Sequence, residues 1–186
     1  MPKTIEIFAG PNGSGKTTFA EMALAKRDNA LYLNSDSIAR GLAPGENEFA
    51  QYEAGRFMLR SIENALKTNQ SFSFETTFSG RMWVSLLKKA KEANYKIKIY
   101  FVFVQSIEIS LKRIQTRVKN GGHNIPEEIV RRRFARTFKN FSELYAPFAD
   151  EWYVIDNSEA KGEVIAYKKG KSRKILDSVL FKKHFS

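Results

Sequence analysis

The sequence predicts an α/β fold: a five-stranded, mostly parallel sheet with helices on both faces and a small β-hairpin near the C-terminus. Three observations predict it. Strand-like and helix-like segments alternate along the chain, the pattern of parallel β-α-β units. The longest strand candidate, residues 96–104, is apolar on both sides in its second half, as a strand buried between two helical layers must be. A glycine-rich run, Gly10-Pro11-Asn12-Gly13-Ser14-Gly15-Lys16-Thr17, joins the first strand to the first helix.

The elements follow in order. Residues 4–9 alternate, with Ile5, Ile7 and Ala9 on one side and Thr4, Glu6 and Phe8 on the other, and read as strand one. Residues 18–26 have helical composition and spacing. Residues 30–33 form a short second strand that runs into Asn34-Ser35-Asp36-Ser37, and Pro44-Gly45 punctuates a loop. A helix is expected over 47–67, a third strand over 71–77, and an amphipathic helix over 81–94 with Trp83, Leu86, Leu87 and Ala90 on one face. After the long strand, helices are expected over 107–119 and 126–145, separated by Gly121-Gly122-His123-Asn124, a hinge candidate. Pro126 suits a first helical turn, and Glu127 and Glu128 complement the helix dipole there. Residues 151–155 read as strand five. Segments 163–167 and 173–176 flank Lys168 to Ser172 as a hairpin, followed by a frayed tail.

With 186 residues, one domain is expected over 1–186, with 112–140 as a lid and 161–186 as a C-terminal hairpin and tail. The absence of cysteine excludes a disulfide frame, a thiolate metal site and a cysteine nucleophile. The chain opens on a strand rather than a signal peptide, and no apolar run approaches a membrane span, so a cytoplasmic protein with no membrane partner is expected. The net charge of +11 is uneven: residues 81–140 hold 15 Lys/Arg against 4 Asp/Glu. Such an excess serves a cleft for a polyanion, a solvated helix face or, less well here, a nucleic-acid footprint.

The run from Gly10 to Thr17 reads G-x-x-x-x-G-K-T, and its strand-before, helix-after setting is what such a phosphate loop requires. It predicts a three-layer α/β/α fold of the P-loop NTPase and kinase kind. Glycines let successive amides converge on phosphate oxygens, and the helix N-terminus adds partial positive charge. Gly10 to Thr18 are thus the expected nucleotide-binding residues. Lys16 is expected to reach the β- and γ-phosphates of a nucleoside triphosphate (ATP or GTP), and the Thr17 hydroxyl to ligate Mg²⁺.

In parallel sheets, ligands bind beyond the carboxyl ends of the strands. Strand two delivers Asp36 there, and strand three delivers Glu75-Thr76-Thr77. Phosphoryl transfer needs a carboxylate near the acceptor hydroxyl, and Asp36 suits that role; its structural alternative is a helix N-cap. Glu75 suits acceptor binding or the outer shell of the metal. An acid directly after the long strand is missing, and Asp156 reads as a turn residue, so Mg²⁺ is expected on Thr17, phosphates and water. Among Arg113, Arg117, Arg131, Arg132, Arg133 and Arg136, Arg117 and one of Arg132 or Arg133 are expected to face the γ-phosphate from the lid. His123 reads as a turn residue.

These residues resemble the zeta toxin-like P-loop kinases, especially short stand-alone bacterial members. The likeness rests on residues 8–18, Asn34-Ser35-Asp36-Ser37-Ile38-Ala39, Phe74 to Gly80, Arg117-Val118 with Gly121-Gly122-His123, Pro126 to Arg133, and Asp156-Asn157-Ser158. It implies phosphorylation of a hydroxyl of a small acceptor at the expense of ATP or GTP, with UDP-N-acetylglucosamine the acceptor of the best-known members. By position, Asp36 resembles the family's base, Glu75 with Thr77 its substrate-binding residues, and Arg117 with Arg132 or Arg133 its γ-phosphate arginines. The chain is shorter than the prototype toxins and lacks an antitoxin segment, so an antitoxin partner is expected to be encoded separately. Two other readings stay open: a nucleotide-gated nucleic-acid-binding ATPase or regulatory module, and a kinase for another metabolite or a nucleic-acid end.

Overall fold

The computed structural model describes residues 2–25, 27, 31–43, 48–122, 124–159 and 161–185; Lys26, Ala30, Pro44, Gly45, Asn47 and His123, named above, lie outside them. Among the described residues, seven strands form one sheet: β1 (Thr4–Ala9), β2 (Leu31–Leu33), β3 (Phe72–Thr76), β4 (Lys96–Phe103), β5 (Glu151–Asp156), β6 (Glu163–Lys169) and β7 (Ser172–Ile175), in the order β2-β3-β1-β4-β5-β6-β7. The first five are parallel; β6 runs antiparallel to β5, and β7 to β6. The expected hairpin therefore exists but is not separate. It covers the hydrogen-bonding edge that β5 would otherwise expose, making seven strands from the expected five plus two.

The helices are α1 (Lys16–Leu24), α2 (Ser35–Leu42), α3 (Glu48–Lys67), α4 (Trp83–Glu92), α5 (Ile107–Lys119), α6 (Glu127–Asn140) and α7 (Ser178–Phe185). A π-helical turn (Phe141–Tyr145) and a 3-10 turn (Ala146–Phe148) continue α6 toward β5. The tail is not frayed. Asp177 accepts the Leu180 amide at 2.9 Å, which caps α7, and Phe181 is buried. Phe185 meets the Phe101 and Phe103 rings edge-on, both at 5.5 Å.

Strand alternation sorts the sheet's two faces. Ile5, Ile7 and Ala9 of β1, Phe72 and Phe74 of β3, Phe101 and Phe103 of β4, and Val154 of β5 point into the main core with α3, α4, α6 and α7. On the opposite face, Phe8, Tyr100, Tyr153 and Tyr167 stack in a row across β1, β4, β5 and β6 at 5.1, 5.6 and 6.2 Å, with α1 touching it through Phe19. Glu6 is buried in this face, within reach of Arg27 and Lys98.

His184 of α7 gives the core a pH sensitivity. Its ring packs on Phe138 and Phe103 at 5.2 and 5.4 Å, and its Nε2 finds no hydrogen-bond partner among the described residues. Burial, and then the charge of Lys183, hold its pKa below the usual histidine value. The unfolded chain takes that proton more readily, so His184 contributes no penalty above its ordinary pKa and a growing one as pH falls below it. His184→Leu should flatten the loss of melting temperature between neutral and mildly acid pH, by less than about 1 kcal/mol because the ring is partly exposed. An unchanged slope in thermal melts would remove this assignment.

Candidate active site

β1 lies centrally, between β3 and β4. Its connection leads one way, to β2, and the connection after β3 returns across it to β4, so chain directions diverge at its carboxyl end. That end carries the phosphate loop. Gly10 has φ 142°, and a Cβ there would lie 1.8 Å from the Val102 carbonyl oxygen of β4, so only glycine fits. Gly15 is left-handed (φ 89°) and starts α1, which has no side-chain cap and no acid in its first turn. The free amides and the dipole of this helix end are thus available to an anion. Asn157, just past β5, donates Nδ2 to the Ser14 carbonyl at 2.7 Å.

Gly10, Pro11 and Ser14 are buried behind the loop, whereas Asn12, Gly13, Gly15, Lys16, Thr17 and Thr18 line a cavity of about 1070 Å³. In the same cavity wall stand Asp36 on α2 and Glu75 and Thr77 at the end of β3. Glu75 is the hub. Its Oε2 accepts from the Thr17 hydroxyl at 2.8 Å, from Asn34 Nδ2 at 2.9 Å and from the Tyr32 hydroxyl at 3.0 Å. Its Oε1 lies 3.9 Å from Lys16 Nζ, which also donates to the Pro11 carbonyl at 2.8 Å.

Burial pulls the Lys16 ammonium below its ordinary pKa; the charges of Glu75 and Asp36 oppose this, and that of Arg117 reinforces it. Lysine, two carboxylates and one arginine therefore share one electrostatic neighbourhood. Burial, and then the Glu75 charge, push the Tyr32 phenol well up, so it remains protonated and donates.

The arginines separate clearly. Arg113, Arg117 and Arg133 line the cavity, whereas Arg132 is exposed and does not. On α6, Arg133 turns inward because the buried stripe runs through Val130, Thr137 and Phe138, and Arg132 falls outside it. Arg131 pairs with Glu127 at 2.7 Å. Arg113 forks onto the Asn157 and Ser158 carbonyls at 2.8 and 3.0 Å. The middle-third basic excess is thus shared between cleft and surface: Lys91 and Lys96 pair with Asp150 and Glu151. Gly121 and Gly122 close α5, their amides bonding back to Val118 and Arg117 at 2.9 Å each.

Several site residues leave little trace in the sequence. The cap of α2 is Asn34, whose side chain accepts the Ser37 amide at 3.1 Å; Asp36 stands in the first turn and is not the cap. Tyr32 and Asn34 are two apart on an extended segment and so share the face on which Glu75 stands; that spacing was the available signal. Asp156 accepts the Ser158 amide at 3.0 Å, a turn as expected, while its neighbour Asn157 grips the loop. Glu48, Gln51 and Met58 of α3 close one wall of the cavity. Trp83 packs on Phe74 at 4.8 Å, donates Nε1 to the Thr76 hydroxyl at 2.9 Å, and also lines the cavity.

Among the described residues, no group of three or more His, Cys, Asp or Glu side chains could hold a metal ion. The donor set that is present, a Thr17 hydroxyl steadied by a carboxylate, fits an ion held chiefly by phosphate oxygens and water.

Residues 2–171 match the family model described as Zeta toxin. A Haemophilus influenzae protein, described only as uncharacterised, is 34% identical over 129 residues, covering 69% of this chain and 90% of its own length. The whole chain superposes on the crystal structure of AvrRxo1-ORF1:-ORF2 with ATP, with a TM-score of 0.79 at 19% identity, and spans 64% of that chain. The PezAT chromosomal toxin-antitoxin system of Streptococcus pneumoniae matches with a TM-score of 0.64 at 13% identity, over 84% of this chain and 68% of that one. Sheet order, phosphate loop and family match agree: the chain has a P-loop kinase fold and belongs to the zeta toxin family.

Proposed function

We propose that this P-loop kinase transfers the γ-phosphoryl group of ATP to a hydroxyl of a small molecule. The observation that carries the reading is the meeting of Lys16, Thr17, Glu75, Asp36 and Arg117 in one cavity, with Lys16 sensing the charges of Glu75, Asp36 and Arg117. The loop amides and Lys16 cradle the phosphates. Asp36 takes the proton of the acceptor hydroxyl. Arg117 and Arg133 offset charge on the phosphoryl in flight, both carried by the 112–140 segment proposed as a lid. Thr17 would hold Mg²⁺, which neutralises phosphate charge when bound. Glu75 accepts a hydrogen bond from the Thr17 hydroxyl, whose lone pairs are left to an ion.

ATP as donor is supported by the ATP complex of the structural neighbour. A separately encoded antitoxin is supported by the toxin-antitoxin system among the relatives. No helix among the described residues is long and apolar enough to cross a membrane. The nucleotide sugar implied by the family resemblance is the first acceptor to try.

The test is incubation of the protein with γ-labelled ATP, Mg²⁺ and panels of sugars, nucleotide sugars and oligonucleotides. Label is expected on a small molecule, and Arg117→Ala should slow its appearance on the order of 100-fold or more. Label confined to inorganic phosphate, together with steeply salt-dependent RNA or DNA binding, would point instead to a nucleic-acid-binding ATPase.

A further inference from the structure

We infer that Arg113 is a positioning residue: it clamps α5 onto the turn after β5 and so fixes the Arg117 guanidinium relative to the phosphate loop. The inference rests on the proposed phosphotransferase reading, in which Arg117 offsets charge on the phosphoryl in flight.

The loop is held from two sides. A Cβ on Gly13 would lie 2.6 Å from the Ser110 carbonyl oxygen and 3.2 Å from Ile114 Cγ1, so the loop backbone runs directly against the first two turns of α5. On the other side, Asn157 Nδ2 donates to the Ser14 carbonyl at 2.7 Å, and a Cβ on Gly15 would meet that same nitrogen at 2.5 Å. Arg113 joins the helix to the turn. Its Nη1 donates to the Asn157 carbonyl at 2.8 Å and its Nη2 to the Ser158 carbonyl at 3.0 Å. A planar guanidinium suits such a two-pronged contact and loses little freedom in making it; a lysine has no second prong.

Arg117 follows Arg113 by four residues, so the two share a face of α5, and both line the cavity. The Arg117 stem is fixed at the far end of the helix. The Gly122 amide donates to the Arg117 carbonyl at 2.9 Å, and a Cβ on Gly122 would lie 2.5 Å from Arg117 Cγ. The side chain is thus set by a glycine behind it and by a helix pinned one turn earlier. The charge of Arg117 is felt at Lys16, which agrees with this placement. Arg133 stands on α6, beyond the glycine pair, and takes no part in the clamp.

A fixed charge is what the proposed chemistry needs. A guanidinium already aimed at the phosphoryl group stabilises it without reorganising, and a displacement of about 1 Å can cost on the order of 100-fold in rate. The competing role for Arg113 is direct phosphate binding, since it too lines the cavity. Both of its terminal nitrogens are engaged on carbonyls, which favours the clamp.

The test compares the full-length wild type, Arg113→Ala, Arg117→Ala and the double variant. Turnover is followed by loss of label from γ-labelled ATP with Mg²⁺ and the acceptor panel. Arg113→Ala should lower kcat about tenfold and move the KM for ATP by less than about threefold, because Lys16 and the loop amides still bind it. In the Arg117→Ala background the same substitution should cost nothing further, since it acts only through Arg117. Amide hydrogen exchange in α5 should quicken at least about threefold in Arg113→Ala. Gly122→Ala, which crowds the Arg117 stem and leaves the clamp alone, should lower kcat in the same non-additive way with α5 exchange unchanged. Losses that add in the double variant, or a raised KM for ATP with kcat preserved, would make Arg113 a phosphate ligand and overturn the inference while leaving the kinase reading intact. A wild type that transfers no label although ATP raises its melting temperature would remove the kinase reading; unchanged α5 exchange in Arg113→Ala would remove the clamp.

Discussion

Asp36→Asn should cut phosphoryl transfer by roughly 10²- to 10⁴-fold, the range associated with loss of a positioned general base. The expected effect on ATP affinity is small. Asp36 stands in the first turn of α2, exposed toward the cavity, and makes none of the contacts that seat the phosphate loop. Asn34 does the capping, so the substitution leaves the helix start intact. Removing a favourable acid from a helix N-terminus costs less than about 1 kcal/mol of stability, so the variant folds and can be assayed. Initial-rate measurements give the transfer term and calorimetry the nucleotide affinity. Near-wild-type transfer would mean that another group receives the proton; transfer and affinity falling together would make Asp36 a nucleotide ligand.

Lys16→Met should have the second large effect, with opposite signs on binding and on the empty protein's stability. The Lys16 ammonium is buried, and burial lowers its pKa. At neutral pH the folded state therefore holds a proton it disfavours, a cost relieved as pH rises through the lowered value toward the 10.5 of a free lysine. Methionine occupies the same space without that cost. Glu75 keeps its three hydrogen-bond donors, so no unpaired carboxylate is left behind. The empty variant should unfold at or above the wild-type temperature. Charge-assisted bonds to two phosphates vanish, at about 3 kcal/mol, so ATP affinity should fall on the order of 100-fold. Thermal melts with and without ATP and Mg²⁺ read both effects at once: the wild type shifts upward with nucleotide and the variant does not. A variant that melts far below the wild type, or still shifts with ATP, contradicts this account.

What could be read from the sequence was local. The phosphate loop announces itself because its chemistry occupies eight adjacent residues between a strand and a helix. β4 was legible from its apolar run, and the start of α6 from Pro126 with Glu127 and Glu128 behind the Gly121-Gly122 break that ends α5. The residues that escaped are those whose partners are remote. The Asn157 side chain bonds Ser14 across 143 positions, and nothing near Asn157 hints at it. Tyr32 lies in a strand of three residues and Asn34 caps the helix just after it; their two-apart spacing acquires meaning only once β3 brings Glu75 beside them. The choice between Arg132 and Arg133 depends on a rotation of about 100° about α6, which packing decides rather than composition. For α7, hydrophobic residues near a chain end looked like a frayed tail because the aromatic cluster that receives them is built from β4 and α6.

The grip of Asn157 on Ser14 also sets a clock on synthesis. On a ribosome adding about 5–20 residues per second, the segment that steadies the loop emerges on the order of ten seconds after the loop itself. Until β5 has left the exit tunnel and paired with β4, the glycine-rich turn lacks its remote brace and the guanidinium of Arg113 lacks its anchorage. A polypeptide not yet extended past β5 therefore presents the nucleotide-binding signature without the means to hold it in shape, and turnover waits for the synthesis of Asn157.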